Sequence, residues 1–142
     1  MEPSLLLDTC ATIWISAQQP MAHGAEEALT TARARDETVF VSPITAWEIG
    51  LLVSDGRLNL QMTPERWFAR LMQAPGLQLA DILPSVLIAA SFLPGQPPRD
   101  PADRILAATA REHGFQLVTR DRRLLDYAKT RPYPSARLLT RR

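Results

Sequence analysis

Three times in this chain a helix-capping residue stands directly before a proline: Ser42-Pro43, Thr63-Pro64 and Asp100-Pro101. Proline is pre-set for the first helical position, and a Ser, Thr or Asp before it accepts the free N–H groups of the first turn, so each pair opens a helix. Between the helical stretches lie runs that are too short for helices and too apolar or β-branched for loops, at residues 4–7, 38–41, 77–80 and 116–119. Strands separated by helices cannot pair as tight hairpins. They pair in parallel and are covered by helices on both faces. The expected class is therefore α/β, a three-layer α/β/α arrangement around a mainly parallel central sheet.

The remaining punctuation fills in the order of elements. Helices are expected at 9–17, 22–35, 43–54, 64–73, 84–93, 101–113 and 122–129, with a closing edge strand at 136–140. The stops are Gln18-Gln19-Pro20, Asp55-Gly56, Pro75-Gly76 and Gly114, and Pro94-Gly95-Gln96-Pro97-Pro98 reads as a loop. The apolar, Ala-rich 84–93 segment is expected to be a buried helix, and Trp14, Trp47 and Trp67 are expected mostly in the core. No repeat or linker divides the chain, and 142 residues suit one domain spanning 1–142.

Composition removes several classes of function. A single cysteine, Cys10, leaves no intramolecular disulfide framework and no Cys-rich zinc site, and two histidines make a His-based site a poor hypothesis. No apolar run reaches the roughly 18 residues of a membrane helix. The N-terminus has no basic region followed by a long apolar one, so a cytoplasmic location is expected. The formal net charge is +1, but it is a cancellation: residues 1–98 carry −5 and residues 99–142 carry +6. Fifteen of the sixteen basic residues are arginine, which suits bidentate contact with phosphate.

Four acids stand where structure alone does not demand them. Asp8 directly follows Leu5-Leu6-Leu7, at the carboxyl end of the first strand, where open α/β sheets bind ligands. It is equally placed to cap the next helix. Glu48 lies on or beside the apolar stripe expected from Ile44, Trp47, Leu51 and Leu52, and a carboxylate there is paired, protonated or bound to a metal. Asp103 falls in the first turn of the helix that Asp100 caps. Asp121 follows the 116–119 strand by one residue, and Thr119 at the strand end offers a hydroxyl to a nearby group. Carboxylates gathered at one edge cannot all stay ionised without a cation. Oxygen ligands without Cys or His select a hard ion, Mg²⁺ or Mn²⁺, one or two in number. Such a site suits phosphoryl chemistry. Arg99, Arg104, Arg120, Arg122 and Arg123 flank these acids and are the candidates to hold a nucleic-acid backbone.

The blocks LLLDTC, SPITAWEIG, RDPADRILAATA and LVTRD, in this order, resemble the PIN-domain ribonucleases, and more narrowly the VapC-type toxins of bacterial type II toxin–antitoxin pairs. The resemblance runs over nearly the whole chain. It implies a PIN-like fold in which Asp8, Glu48, Asp103 and Asp121 are the catalytic, metal-holding acids, with Thr119 and Asp100 in support. It implies a Mg²⁺- or Mn²⁺-dependent endoribonuclease, a homodimer held inactive by a small cognate antitoxin, with higher hetero-oligomers and no membrane partner. Many relatives carry a His before the Arg-Asp-Pro, where this chain has Pro98. The alternatives are a processing nuclease of the same fold without an antitoxin, and a non-catalytic PIN-like module that binds RNA or protein. A dehalogenase-type phosphatase wants a second Asp where Cys10 stands, and a receiver domain wants a late-strand lysine, whereas Lys129 is the only lysine.

Overall fold

A computed structural model describes residues 3–17, 23–119, 121–130 and 137–140. The expected helix stop at Gln18-Gln19-Pro20 and the side chain of Arg120 lie outside them. The elements run β1 (Leu5–Leu7), α1 (Thr9–Ala17), α2 (His23–Ala34), β2 (Val39–Val41), α3 (Pro43–Ser54), α4 (Pro64–Leu71), β3 (Leu77–Leu79), α5 (Pro84–Ser91), α6 (Pro101–His113), β4 (Gln116–Thr119), α7 (Arg122–Thr130) and β5 (Arg137–Thr140).

The five strands form one sheet in the order β3-β2-β1-β4-β5, and every neighbouring pair is parallel. The register sets Leu7 beside both Val41 and Val118. Alternation along β1 feeds both faces. Leu5 and Leu7 pack with Val39, Val41 and Val118 against Ala11 of α1 and Leu29 and Ala32 of α2. Leu6 points the other way, to Leu106 and Ala110 of α6, Leu117 of β4 and Leu124 of α7. All three residues of β1 are buried, which is why the strand reads as an unbroken apolar run rather than an alternating one. Burying a Leu on this scale contributes about 1.5–3 kcal/mol. Phe40 and Phe115 stack at 4.6 Å beside this second cluster.

The three proline-led starts are built as their sequences require. Ser42 accepts from the Ile44 N–H at 3.1 Å, Thr63 from the Arg66 N–H at 3.2 Å and Asp100 from the Asp103 N–H at 3.0 Å. Each such cap stabilises its helix by about 1 kcal/mol. At the far end of α6, Gly114 adopts φ 73°, a left-handed closure that glycine enters without steric cost.

Two helices turn differently from expectation. In α3 the buried residues are Thr45 and Ile49, while Trp47 is 52% exposed and Leu51 is exposed too. In α5 only Val86 and Ala90 are buried, and Leu87 and Ile88 face outward. It is therefore not the buried helix its composition suggests. Both helices are apolar nearly all the way round, so periodicity cannot say which side meets the sheet. Trp14 is buried, Trp67 only partly, and the expectation of tryptophan core packing fails at Trp47.

Sheet order decides where a site can form. From β1 the chain passes outward through β2 and β3 on one side, then returns to place β4 and β5 on the other. The carboxyl ends of β1 and β4 thus border the crevice where strand order reverses, the usual ligand position in such sheets.

Candidate active site

Asp8 leaves β1 at that crevice. Its backbone N–H continues the ladder to the Val118 carbonyl at 3.1 Å. Its side chain does two jobs at once. Oδ1 accepts from the Ala11 N–H at 2.7 Å, capping α1, and Oδ2 accepts from the Thr119 hydroxyl at 2.5 Å. Only 5% of Asp8 is exposed. Its pKa is raised to about 6: burial pushes it up most, the Thr119 and Ala11 bonds pull against that, and the Glu48 and Asp121 charges push it up as well.

Thr119 is the hinge of this arrangement. Its hydroxyl donates to Asp8, and its oxygen accepts the Asp121 N–H at 3.0 Å. Asp121 in turn caps α7, accepting from the Arg123 N–H at 2.8 Å. From the other side, Glu48 comes in on α3, half-buried. Its Oε1 accepts a short hydrogen bond from the Thr9 hydroxyl, and Thr9 also contacts the Thr45 hydroxyl at 3.2 Å. Burial raises the Glu48 pKa, Thr9 opposes this, and the Asp100 charge adds to it.

Asp103 sits in the first turn of α6, partly buried. Its pKa is pushed up to about 7, first by burial and then by the charges of Asp121, Asp100, Glu48 and Asp8. Among the described residues, the charges that shift Asp8, Glu48 and Asp103 all come from carboxylates. The fold has concentrated negative charge at one edge, and among the described residues no cationic side chain offsets it.

That donor set fits a hard divalent cation: oxygen atoms only, from carboxylates whose repulsion a 2+ charge relieves. Among the described residues, no three His, Cys, Asp or Glu side chains are already gathered tightly enough to enclose an ion. Metal-free carboxylates repel, and both Asp8 oxygens and Glu48 Oε1 are engaged by protein donors. A cavity of about 530 Å³ elsewhere is lined by Ile15, Leu29, Arg33, Asp36, Val39 and Leu77. Val39 and Leu77 begin β2 and β3, so this cavity opens at the opposite end of the sheet from the acids.

Residues 5–130 match the PIN domain family. The chain is also 36% identical over 130 residues to the protein named Ribonuclease VapC22 of Mycobacterium tuberculosis, a match covering 91% of this chain and 95% of that one. The chain belongs to the PIN-domain family, in its VapC-type branch. Among solved structures, one described as FitAB bound to an IR36 DNA fragment overlays with a TM-score of 0.47 at 20% identity, covering 96% of this chain and 94% of that chain.

Within this VapC-type PIN domain the flanking arginines divide. Arg99, Arg122 and Arg123 are exposed beside the caps of α6 and α7. Arg104, expected to face nucleic acid with them, is tied down instead. Its guanidinium donates to the Ala90 carbonyl at 3.0 Å, Pro98 at 3.3 Å and Ser91 at 3.5 Å. It closes the carboxyl end of α5 and the proline-rich loop after it, where a cation is favoured. Arg120 lies outside the described residues. Thr9 and Thr45 are the polar residues that sequence reasoning passed over. The signal was present: Thr9 directly follows Asp8, and Thr45 lies three residues before Glu48, on the same side of α3.

Proposed function

We propose that this chain acts as a single-domain, divalent-metal-dependent endoribonuclease, the toxin of a toxin–antitoxin pair. The observation that carries the reading is the mutual charge influence of Asp8, Glu48, Asp103 and Asp121 at one sheet edge, which no cationic side chain among the described residues offsets. The 36% identity to a protein named as a ribonuclease supports the choice of RNA.

In this reading Asp8, Glu48, Asp103 and Asp121 would hold Mg²⁺ or Mn²⁺, one or two ions. When bound, the cation supplies Lewis acidity and charge neutralisation to a phosphodiester under attack by water. The protein's own contribution is positional. The Ala11 N–H and Thr119 hydroxyl fix both oxygens of Asp8, and the Asp100 cap fixes the first turn that carries Asp103. Thr119 also fixes the entry of the chain into α7 through the Asp121 N–H. Arg99, Arg122 and Arg123 hold the RNA backbone, with Arg120 as a further candidate. Asp100 raises the local negative charge and thereby favours cation binding.

A cognate antitoxin and a second copy of the chain are the proposed protein partners. Exposed apolar side chains, among them Trp47, Leu51, Ile88 and Phe92, are of the kind that partners cover. No helix among the described residues is long and apolar enough to cross a membrane, and a cytoplasmic setting is proposed.

The test is a ribonuclease assay of purified protein with Mn²⁺, with EDTA and as Asp8→Asn. Cleavage is expected only for the wild type with metal. Cleavage that survives both EDTA and the substitution would overturn the metal mechanism.

A further inference from the structure

Thr9 and Thr45 are given no part by the four-acid reading, yet both are buried, Thr45 completely. Their proton inventory is restrictive. Each hydroxyl carries one proton, whereas an ionised carboxylate only accepts. The Thr9 hydroxyl faces both Glu48 Oε1 and Thr45 Oγ1. Its single proton therefore goes to Glu48, and the proton between the two threonines comes from Thr45. The result is a directed chain from α3 to α1 and back: Thr45 donates to Thr9, and Thr9 donates to Glu48. The same construction appears on the other side of the crevice, where the Asp121 N–H donates to Thr119 and Thr119 donates to Asp8. Asp8, buried, and Glu48, half-buried, are thus each held by a threonine whose own oxygen accepts from a third group.

We propose that Thr9 and Thr45 form a hydroxyl relay that positions the Glu48 carboxylate for a divalent cation. Both are positioning residues, acting through Glu48. The proposal rests on the metal-dependent reading above. Without the relay, Glu48 sits on a helix face with no other hydrogen bond among the described residues to choose its rotamer, and ordering it falls on the cation itself.

The experiment is calorimetric titration of Mn²⁺ alone into the full chain, without RNA, alongside thermal melts of each variant. Thr9→Val, which keeps the shape and removes the hydroxyl, is expected to weaken Mn²⁺ binding by about 10–100-fold, while Thr9→Ser stays within about 3-fold of the wild type. Thr45→Val is expected to fall between them. In a Glu48→Gln background, adding Thr9→Val is expected to change little. Wild-type affinity in Thr9→Val, failure of Thr9→Ser to rescue, or an equal loss with and without Glu48 would each overturn the relay. If Thr9→Val does not fold, the Thr45→Val and Thr45→Ser pair carries the same contrast. A wild type that binds no Mn²⁺ overturns the underlying metal reading and the relay with it. A wild type that binds while the threonine variants match it overturns the relay alone.

Discussion

Asp8 and Asp103 reach the same crevice by different routes, and the less buried of the two is the harder to ionise. Asp8 is almost wholly enclosed, yet its pKa rises only to about 6, because a hydroxyl and a backbone N–H are aimed at its two oxygens. Asp103 is partly open to solvent, yet its pKa rises to about 7, because the charges of four carboxylates add to its burial and, among the described residues, no hydrogen-bond donor opposes them. The strand end delivers an acid already tied into the fold. The helix start delivers one whose charge no donor or cation among the described residues offsets. Burial alone is thus a poor guide to how a carboxylate is held, and hydrogen-bond donors outweigh the difference in exposure.

The strongest way to break this comparison is to neutralise each acid in turn. Asp8→Asn and Asp103→Asn are each expected to lower ribonuclease turnover at saturating Mn²⁺ by more than about 100-fold, a larger effect than losing an outer partner of a metal ligand. Their stabilities should separate. In EDTA at neutral pH, Asp103→Asn is expected to raise the melting temperature by more than Asp8→Asn does, because among the described residues donors reward the charge of Asp8 and none rewards that of Asp103. Equal shifts in the two melts would dissolve the distinction.

The same logic fixes a pH dependence. A carboxyl whose folded pKa lies above its unfolded value binds its proton more tightly when folded. Its contribution to stability is complete below about 3.8, the ordinary Asp value, and is lost as pH climbs through about 6 for Asp8 and about 7 for Asp103. Urea melts of the metal-free protein are therefore expected to show stability falling between pH 4 and 7. For Asp103 the loss is about 1–2 kcal/mol once solvent screening is allowed for. Added Mn²⁺ is expected to restore more at pH 7.5 than at pH 5, since at pH 5 it competes with protons.

Thr119→Val makes Asp8 resemble Asp103. It removes the donor to Oδ2 and the acceptor for the Asp121 N–H, at an expected cost of about 1–3 kcal/mol. Carbon-13 NMR of the aspartate carboxyls should then show the Asp8 pKa rising. Arg104→Ala serves as a control beside Asp103. Losing its bonds to the end of α5 is expected to cost about 1–2 kcal/mol in denaturant melts, with no movement of the Asp103 titration. The smallest effect is expected from Asp100→Asn, which keeps the helix cap and removes one of the charges on Asp103. The Asp103 titration should move down.

Much of this was legible in the residues because capping and strand ends are local. Ser42, Thr63 and Asp100 act within three residues of themselves, so the starts of α3, α4 and α6 could be read directly. Asp8 and Asp121 could be placed after strands for the same reason. The outward side of α3 could not be read, because the exposed Trp47 and Leu51 look as apolar as the buried Ile49. The tethering of Arg104 was equally hidden, since its acceptors are backbone carbonyls that any sequence supplies.

By itself, then, the sequence determined the alternation of strands and helices, the parallel sheet that follows from it, and the set of acids at strand ends and helix starts. These depend on propensities and hydrogen bonds spanning a few residues. Only the tertiary structure decided which acids face one another and what holds them. Placing β4 beside β1 brings Thr119 to Asp8 across 111 residues, and packing α1 on α3 brings Thr9 to Glu48 across 39. Contacts at that separation depend on how every intervening element packs, and no local pattern encodes them.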